Sequence, residues 1–309
     1  MERIKLVFDN KNIEYYENYD ISDVSTIRIS SRVKLAVFPK TTNDLIKVLK
    51  SLWRYKIPYI VVGNISNILF CDFVSIPVII TSKMKDEYKV EGKVVTFSAG
   101  MQLSRVFEIL KRNKLGGIEG LFGIPATIGG AIVNNAGAFG YNISSRLVQI
   151  KVFHNGQIKD ISRDEIKFGY HYSNLKRLVL LSASFLFENK TEYDIIKLYN
   201  EYTYKRTTTQ PSGLSLGSVY QKANDRSAGF YIERAGLKDS RVGGIVVSKK
   251  HANFFINDKN GSASDFLELQ NRVEESVLSQ FGVTLISEIE KVGDNNEIIG
   301  RFSRSFKKF

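Results

Sequence analysis

The stretch GGIEGLFGIPATIGGAIVNNAGAFG, residues 116–140, holds eight of the chain's 23 glycines and a single charged residue, Glu119. Glycine lets backbone N–H groups approach a ligand closely and accepts positive φ, so such a segment suits a loop folded over a phosphate or a flat ring. It equally suits tight turns between core strands, and glycine content alone does not separate the two readings. Working outward, Gly63-Asn64-Ile65-Ser66-Asn67 makes a second short loop between two β-prone runs, 59–62 and 68–70. Neither loop matches G-x-G-x-x-G or G-x-x-x-x-G-K-[ST], which disfavours the ordinary dinucleotide and P-loop folds.

The flanking segments supply a mixed set of elements. Thr42 and Asn43 ahead of Leu45, Ile46, Leu49 and Leu52 predict a capped helix that stops before Pro58. Strands are expected over 78–81, 94–98, 150–153 and 178–187, and Asn155-Gly156 predicts a two-residue hairpin whose partner strand opens at Ile158. Val106, Phe107 and Leu110 mark a short helix, and residues 193–204 read as a polar, helix-compatible link to a second domain. A capping box at Ser262 and Asp265 opens a long helix with Phe266, Leu269, Val273 and Val277 on one face, ending near Gly282. Strands and helices mix without strict βαβ alternation, so the fold class is α+β.

Composition bounds the function. At 309 residues and 43% apolar content the chain is long enough for two domains with a real core. One cysteine, Cys71, and three scattered histidines exclude a disulfide framework and leave no metal-ligand cluster, so no metal is expected. Charged residues at the amino terminus argue against a secretory leader. Asn64, Ser66, Asn67 and Asp72 interrupt the most apolar stretch, so no stable membrane insertion is expected and the location reads as cytoplasmic. The net charge of +12 favours an anionic partner, but the basic residues are spread and no recognition motif accompanies them, so nucleic acid is not expected as the partner. Arg301, Arg304, Lys307 and Lys308 lie in a basic segment, 296–309, without apolar period, which reads as a flexible tail.

Six blocks carry a resemblance beyond composition. GIPATIGGAIVNNAGAFG at 123–140 resembles the flavin-binding segment of the UDP-N-acetylenolpyruvoylglucosamine reductase family. Ser25-Thr26-Ile27-Arg28 resembles its T-x-R motif, residues 62–67 its G-x-x-S-N loop, and residues 168–173 its F-G-Y-R-x-S block. Arg206 with Gln210-Pro211, then Gly217-Ser218-Val219, resembles its R-x-x-x-Q-P and G-S-V/F blocks. Ala235-Gly236-Leu237, Gly243-Gly244, Ser248, Lys250-His251-Ala252-Asn253-Phe254 and Glu288-Ile289 are similar to its carboxy-terminal signature. The similarity runs from about Thr26 to Gly293.

The resemblance implies a vanillyl-alcohol-oxidase-like FAD-binding domain of two α/β subdomains over 1–190, split near 85, and a smaller α+β substrate-binding domain over 200–295. No tyrosine-bearing insertion is evident between Phe187 and Arg206, as in the family's shorter subgroup. It implies a monomeric enzyme in which noncovalent FAD carries hydride from NADPH to the enol-ether double bond of a UDP-sugar. The cofactor residues it implies are Gly63, Asn64, Ile65, Ser66 and Asn67 in the first loop. In the second they are Gly123, Ile124, Pro125, Ala126, Thr127, Gly129, Gly130, Asn134, Asn135, Ala136 and Gly137. Substrate contacts fall to Tyr170, Ser173, Lys222, Lys250, His251 and Asn253. Ser218 becomes the proton donor and Glu288 the acid beside the substrate carboxylate.

The chain departs from the family pattern in places. Ser30-Ser31 replaces Gly-Gly, Ile65 stands where a small residue is usual, and Gln221-Lys222-Ala223 replaces K-N-P. His171 occupies the position of the catalytic arginine, exchanging a planar guanidinium for an imidazole ring. The alternative reading is a FAD-binding paralogue whose activity His171 has altered or abolished.

Overall fold

The computed structural model describes residues 1–71, 73–224 and 226–293. Two sheets form the amino-terminal part. In the first, β1 (Glu14–Asp20), β2 (Arg32–Phe38), β5 (Val74–Ile80) and β3 (Ile60–Val62) lie side by side in that order. β1 and β2 are antiparallel, and β5 runs parallel to both of its neighbours. Helix α2 (Thr42–Arg54) carries the chain from β2 to β3, burying Leu45, Val48, Leu49 and Leu52 at helical spacing. Its cap is Thr41, whose hydroxyl accepts from the Asp44 N–H at 3.1 Å, one residue before the Thr42 expected from the sequence. The charged amino terminus is itself an amphipathic helix, α1 (Glu2–Asn10), which buries Ile4 and Phe8 in the same core.

The second sheet is antiparallel throughout and orders the strands Gln157–Ser162, Leu147–His154, Val179–Leu186, β7 (Val94–Ser98) and β6 (Tyr88–Glu91). Asn155 and Gly156 make the expected hairpin with φ of 49° and 78°, and the partner strand begins at Gln157 rather than Ile158. Helix α3 (Leu103–Arg112) packs on this sheet, and the glycine-rich segment contributes the short helix α4 (Ile128–Val133). The segment expected to be a link is helix α5 (Glu192–Thr209). It buries Ile195 in the core of the second sheet and stacks Tyr199 on Phe107 with ring centroids 4.2 Å apart.

The carboxy-terminal part combines α6 (Ala228–Arg234), a small antiparallel sheet of Arg241–Val242, Ile245–Val247 and Phe255–Asn257, and α7 (Ala263–Phe281). The Ser262 and Asp265 capping box and the left-handed Gly282 at φ 66° bound α7 as the sequence predicts. This core also takes in Ile27, Ile29 and Leu69 from the amino-terminal part. The strand Glu290–Val292 closes the connection by pairing parallel to β4 (Ile68–Phe70). Among the described residues no helix is long and apolar enough to cross a membrane, and the basic tail 296–309 lies outside them.

Candidate active site

Both glycine loops, the end of α5 and the segments around Ser218 and Glu288 line one cleft of about 850 Å³. That volume lies within the usual range for small-molecule sites. The two loops are locked face to face. Asn64 Nδ2 donates to the Pro125 carbonyl at 3.0 Å, and a Cβ on Gly63 would stand 2.2 Å from Thr127 Oγ1. Thr26 ties the first loop across the cleft, its hydroxyl 2.7 Å from the Ser215 carbonyl and 3.3 Å from that of Ile65.

The loops differ in what they offer a ligand. Among the described residues, the backbone N–H groups of Asn64, Ile65, Ser66 and Asn67 have no protein acceptor, and Ile65 is left-handed at φ 47°. Consecutive free N–H groups around a left-handed residue form an anion-binding concavity, so this loop fits the phosphates of FAD. In the second loop the N–H groups of Ile124, Ala126, Ile128 and Gly129 are already donated to carbonyls of Leu121, Ile124, Met101 and Ala99. Most of the second loop's N–H groups are thus taken within the chain, and the loop forms a close-packed wall of the cleft. Gly129 is needed for packing, since a Cβ there would meet Ala99 at 3.2 Å, and it does not line the cleft. Gly63→Ala should force the loops apart; overpacking of this kind costs about 1–3 kcal/mol, on the order of a tenfold or greater loss of FAD affinity. The check is the flavin retained per protein after gel filtration.

Ser218 and Glu288 come together through backbone pairing. The Glu288 N–H donates to the Val219 carbonyl at 2.8 Å, Tyr220 bridges Ser287, and the Gln221 N–H donates to the Ile286 carbonyl. Asn67 holds the same strand from the other side, its Nδ2 donating to the Glu288 carbonyl at 3.0 Å while its own carbonyl accepts from Glu290 N–H. The Glu288 carboxylate, nearly buried, stands 2.8 Å from Nδ1 of His171. His171 sits with φ 47° at the tip of a tight hairpin in which Phe168 pairs with Ser173 and Gly169 with Tyr172. The imidazole therefore occupies the cleft beside the acid. Lys176 pairs with Glu290 next to it.

Other expected residues take different places. Asn135 Nδ2 donates to the Gly169 carbonyl at 2.8 Å and Ser173 Oγ donates to the Val133 carbonyl at 2.6 Å. Both are buried and lie outside the cleft lining, where they pin the hairpin that carries His171. Asn253 is also buried and outside the cleft lining; its amide accepts from Tyr220 N–H and donates to the Tyr220 carbonyl. His251 packs edge-on against Phe254, and burial pulls its pKa down. Lys222 is exposed and away from the cleft. Tyr170 is 56% exposed and stacks on the His171 ring at 4.2 Å. Burial, then the charge of Glu288, pushes the Tyr170 phenol up. Asn134, Ala136, Gly137, Gly130 and Lys250 do line the cleft. Thr26, Lys176, Glu290 and Arg206 also line it. Thr26 and Arg206 stood in the blocks that carry the resemblance, whereas nothing in the sequence joins Lys176 to Glu290.

Comparison with known proteins gives a consistent result. Residues 210–292 match the model of the UDP-N-acetylenolpyruvoylglucosamine reductase C-terminal domain, and residues 33–162 that of an FAD binding domain. The UDP-N-acetylenolpyruvoylglucosamine reductase of Caldicellulosiruptor bescii is 35% identical over 94% of each chain. That of Clostridium botulinum strain Alaska E43 is 33% identical over 94% of this chain and 98% of its own. The crystal structure of the reductase from Thermus caldophilus superposes with a TM-score of 0.77 at 28% identity, covering 91% of this chain and 99% of that one.

Proposed function

Because this chain belongs to the UDP-N-acetylenolpyruvoylglucosamine reductase family, we propose that its cleft holds FAD noncovalently and draws reducing equivalents from NADPH. The protein is an FAD-dependent oxidoreductase, and its reaction reduces the enolpyruvyl double bond of UDP-N-acetylglucosamine-enolpyruvate in peptidoglycan precursor synthesis. The reading as a paralogue with lost activity is not favoured, since relatives matched over nearly the whole chain carry the reductase name. In the proposed division, residues 1–190 form the FAD-binding part, with subdomains meeting near 85, and residues 200–295 the substrate-binding part. The proposed working form is a cytoplasmic monomer.

FAD, when bound, supplies two-electron transfer between the nicotinamide and the substrate double bond. The chain's residues do the rest. Residues 64–67 hold the phosphates by backbone N–H groups, and residues 123–130 form the wall opposite. Reduction of an enolpyruvyl ether builds negative charge on the substrate carboxylate and then requires a proton at the neighbouring carbon. Glu288 and His171 face the carboxylate and share the proton between them, and Ser218 delivers a proton to the carbon. Tyr170, stacked on His171, holds the ring from outside the cleft lining. The observation that carries this reading is the 2.8 Å contact of Glu288 with His171, on a strand hydrogen-bonded to the Ser218 segment in the same cleft as the free N–H loop.

Noncovalent attachment is tested by denaturing the holoenzyme and filtering it. Yellow cofactor should pass into the filtrate, and colour retained on the precipitate would contradict the proposal. Turnover with NADPH and with NADH, at equal concentration, tests the donor; a faster rate with NADH would reverse that assignment.

A further inference from the structure

We propose that Lys176 is a positioning residue for this reaction, holding Glu290 so that the hairpin carrying His171 stays docked on the segment carrying Glu288. The inference rests on the reading that Glu288 and His171 face the substrate carboxylate, and Lys176 acts through Glu290 rather than on the substrate. Glu288 and Glu290 are two residues apart and both line the cleft, so two carboxylates stand at one wall of it. Two side chains from one stretch of chain meet them: His171 Nδ1 lies 2.8 Å from Glu288, and Lys176 Nζ pairs with Glu290. Charge alone does not say which partner takes which carboxylate. The anchoring of the two segments does.

Lys176 leaves a rigid turn. Leu175 before it is buried in the core of the second sheet, the Leu175 carbonyl accepts from Leu178 N–H at 2.8 Å, and the strand Val179–Leu186 begins three residues on. His171 sits farther out, at the tip of a hairpin whose base is closed where Lys167 N–H donates to Asn174 Oδ1 at 3.1 Å and Asn174 N–H to the Lys167 carbonyl at 3.2 Å. On the other side, Glu290 N–H donates to the Asn67 carbonyl at 3.0 Å, and Glu290 pairs with Ile68 in the parallel ribbon with β4. The Lys176–Glu290 pair therefore joins two backbones that are each held independently, and with Glu290 occupied the imidazole at the tip is left to Glu288. Its side chains are 37% and 18% exposed, so water and salt screen the pair less than one standing free on the surface. Lys176 also lines a separate cavity of about 50 Å³ together with Tyr59, Phe153 and His154. Its aliphatic stem is wall on both sides, and a variant that keeps the stem separates its charge from its packing.

The test uses full-length holoenzyme and the variants Lys176→Met, Glu290→Gln, the two combined, and Lys176→Arg. Stopped flow reads flavin reduction by NADPH and flavin reoxidation by the enolpyruvyl substrate, each over a range of ligand concentration, with a melting curve for every variant. Lys176→Met and Glu290→Gln should each lower the limiting rate of reoxidation by about tenfold, the scale of a small misplacement at a reacting group, and leave flavin reduction within about twofold of wild type. The double variant should be no slower than either single one, because both remove the same contact. Lys176→Arg keeps a cation at Glu290 and should stay within about threefold of wild type. Glu290→Gln separates this role from a direct one: a lysine that served the substrate itself would be freed by that change, and reoxidation would hold or quicken. Reoxidation by Glu290→Gln as fast as wild type, or equal slowing of both half-reactions in the single variants, would overturn the inference and leave the reductase reading intact. If Lys176→Met does not fold, Glu290→Gln and Lys176→Arg decide. A wild-type flavin that the enolpyruvyl substrate does not reoxidise would overturn both.

Discussion

Ser218→Ala should leave reduction of the bound flavin by NADPH close to wild type and slow its reoxidation by the enolpyruvyl substrate by about 10²–10⁴-fold. The hydroxyl is proposed to act only when the carbon next to the developing charge needs its proton, a step absent from transfer between nicotinamide and flavin. Ser218 lies on a segment fixed on both sides, by its bridge to Phe254 and by the pairing of Val219 with Glu288, so removing one oxygen should not move the strand. Stopped-flow measurement of the two half-reactions separates the cases. Equal slowing of both halves would make Ser218 a residue of structure alone.

His171 carries the second large effect. Nδ1 meets the Glu288 carboxylate at 2.8 Å, so the ring both orients the acid and can share its proton. His171→Ala should leave Glu288 nearly buried without its partner and remove the group facing the substrate carboxylate. The expected cost is about 10²–10³-fold in the second half-reaction, comparable to deleting one donor of an oxyanion site. His171→Arg should retain turnover, because a guanidinium on the same hairpin tip keeps hydrogen-bond donors toward Glu288 and the backbone strain at φ 47° is shared by both side chains. Alanine as fast as wild type would remove His171 from the chemistry and leave Lys176 to carry the charge.

Local rules in the sequence anticipated the local structure well. The capping box at Ser262 and Asp265, the Asn155-Gly156 turn and the apolar spacing of Leu45, Leu49 and Leu52 each depend on contacts within a few residues, and each predicts its element closely. Helix α1 had a readable signal in Ile4 and Phe8, one turn apart, but lies in a charged run that speaks first about targeting. Elements that assemble the site are of another kind. Residues 290–292 and 68–70 are three-residue strands too short for a period, and they meet across more than two hundred positions. That pairing is what places Glu288 beside Asn67.

The same limit explains the misplaced side chains. Asn253 and Ser173 have the polar chemistry of binding residues, but their partners are backbone groups of Tyr220 and Val133, brought near only by the tertiary fold. Asn135 reads as part of a flavin loop and in fact braces the hairpin that aims His171. Conversely, Lys176 and Glu290 are ordinary surface residue types whose pairing at the cleft needs strand Glu290–Val292 in place. Such residues announce nothing locally.

Reduction of an enolpyruvyl ether is the chemistry proposed for this cleft. It is tested most directly by bleaching the flavin of the holoenzyme anaerobically with NADPH, removing excess donor, and adding UDP-N-acetylglucosamine-enolpyruvate. The oxidised flavin spectrum should return and UDP-N-acetylmuramate should appear in equal amount. A flavin that stays bleached with this substrate, yet reoxidises when air is admitted, would contradict it.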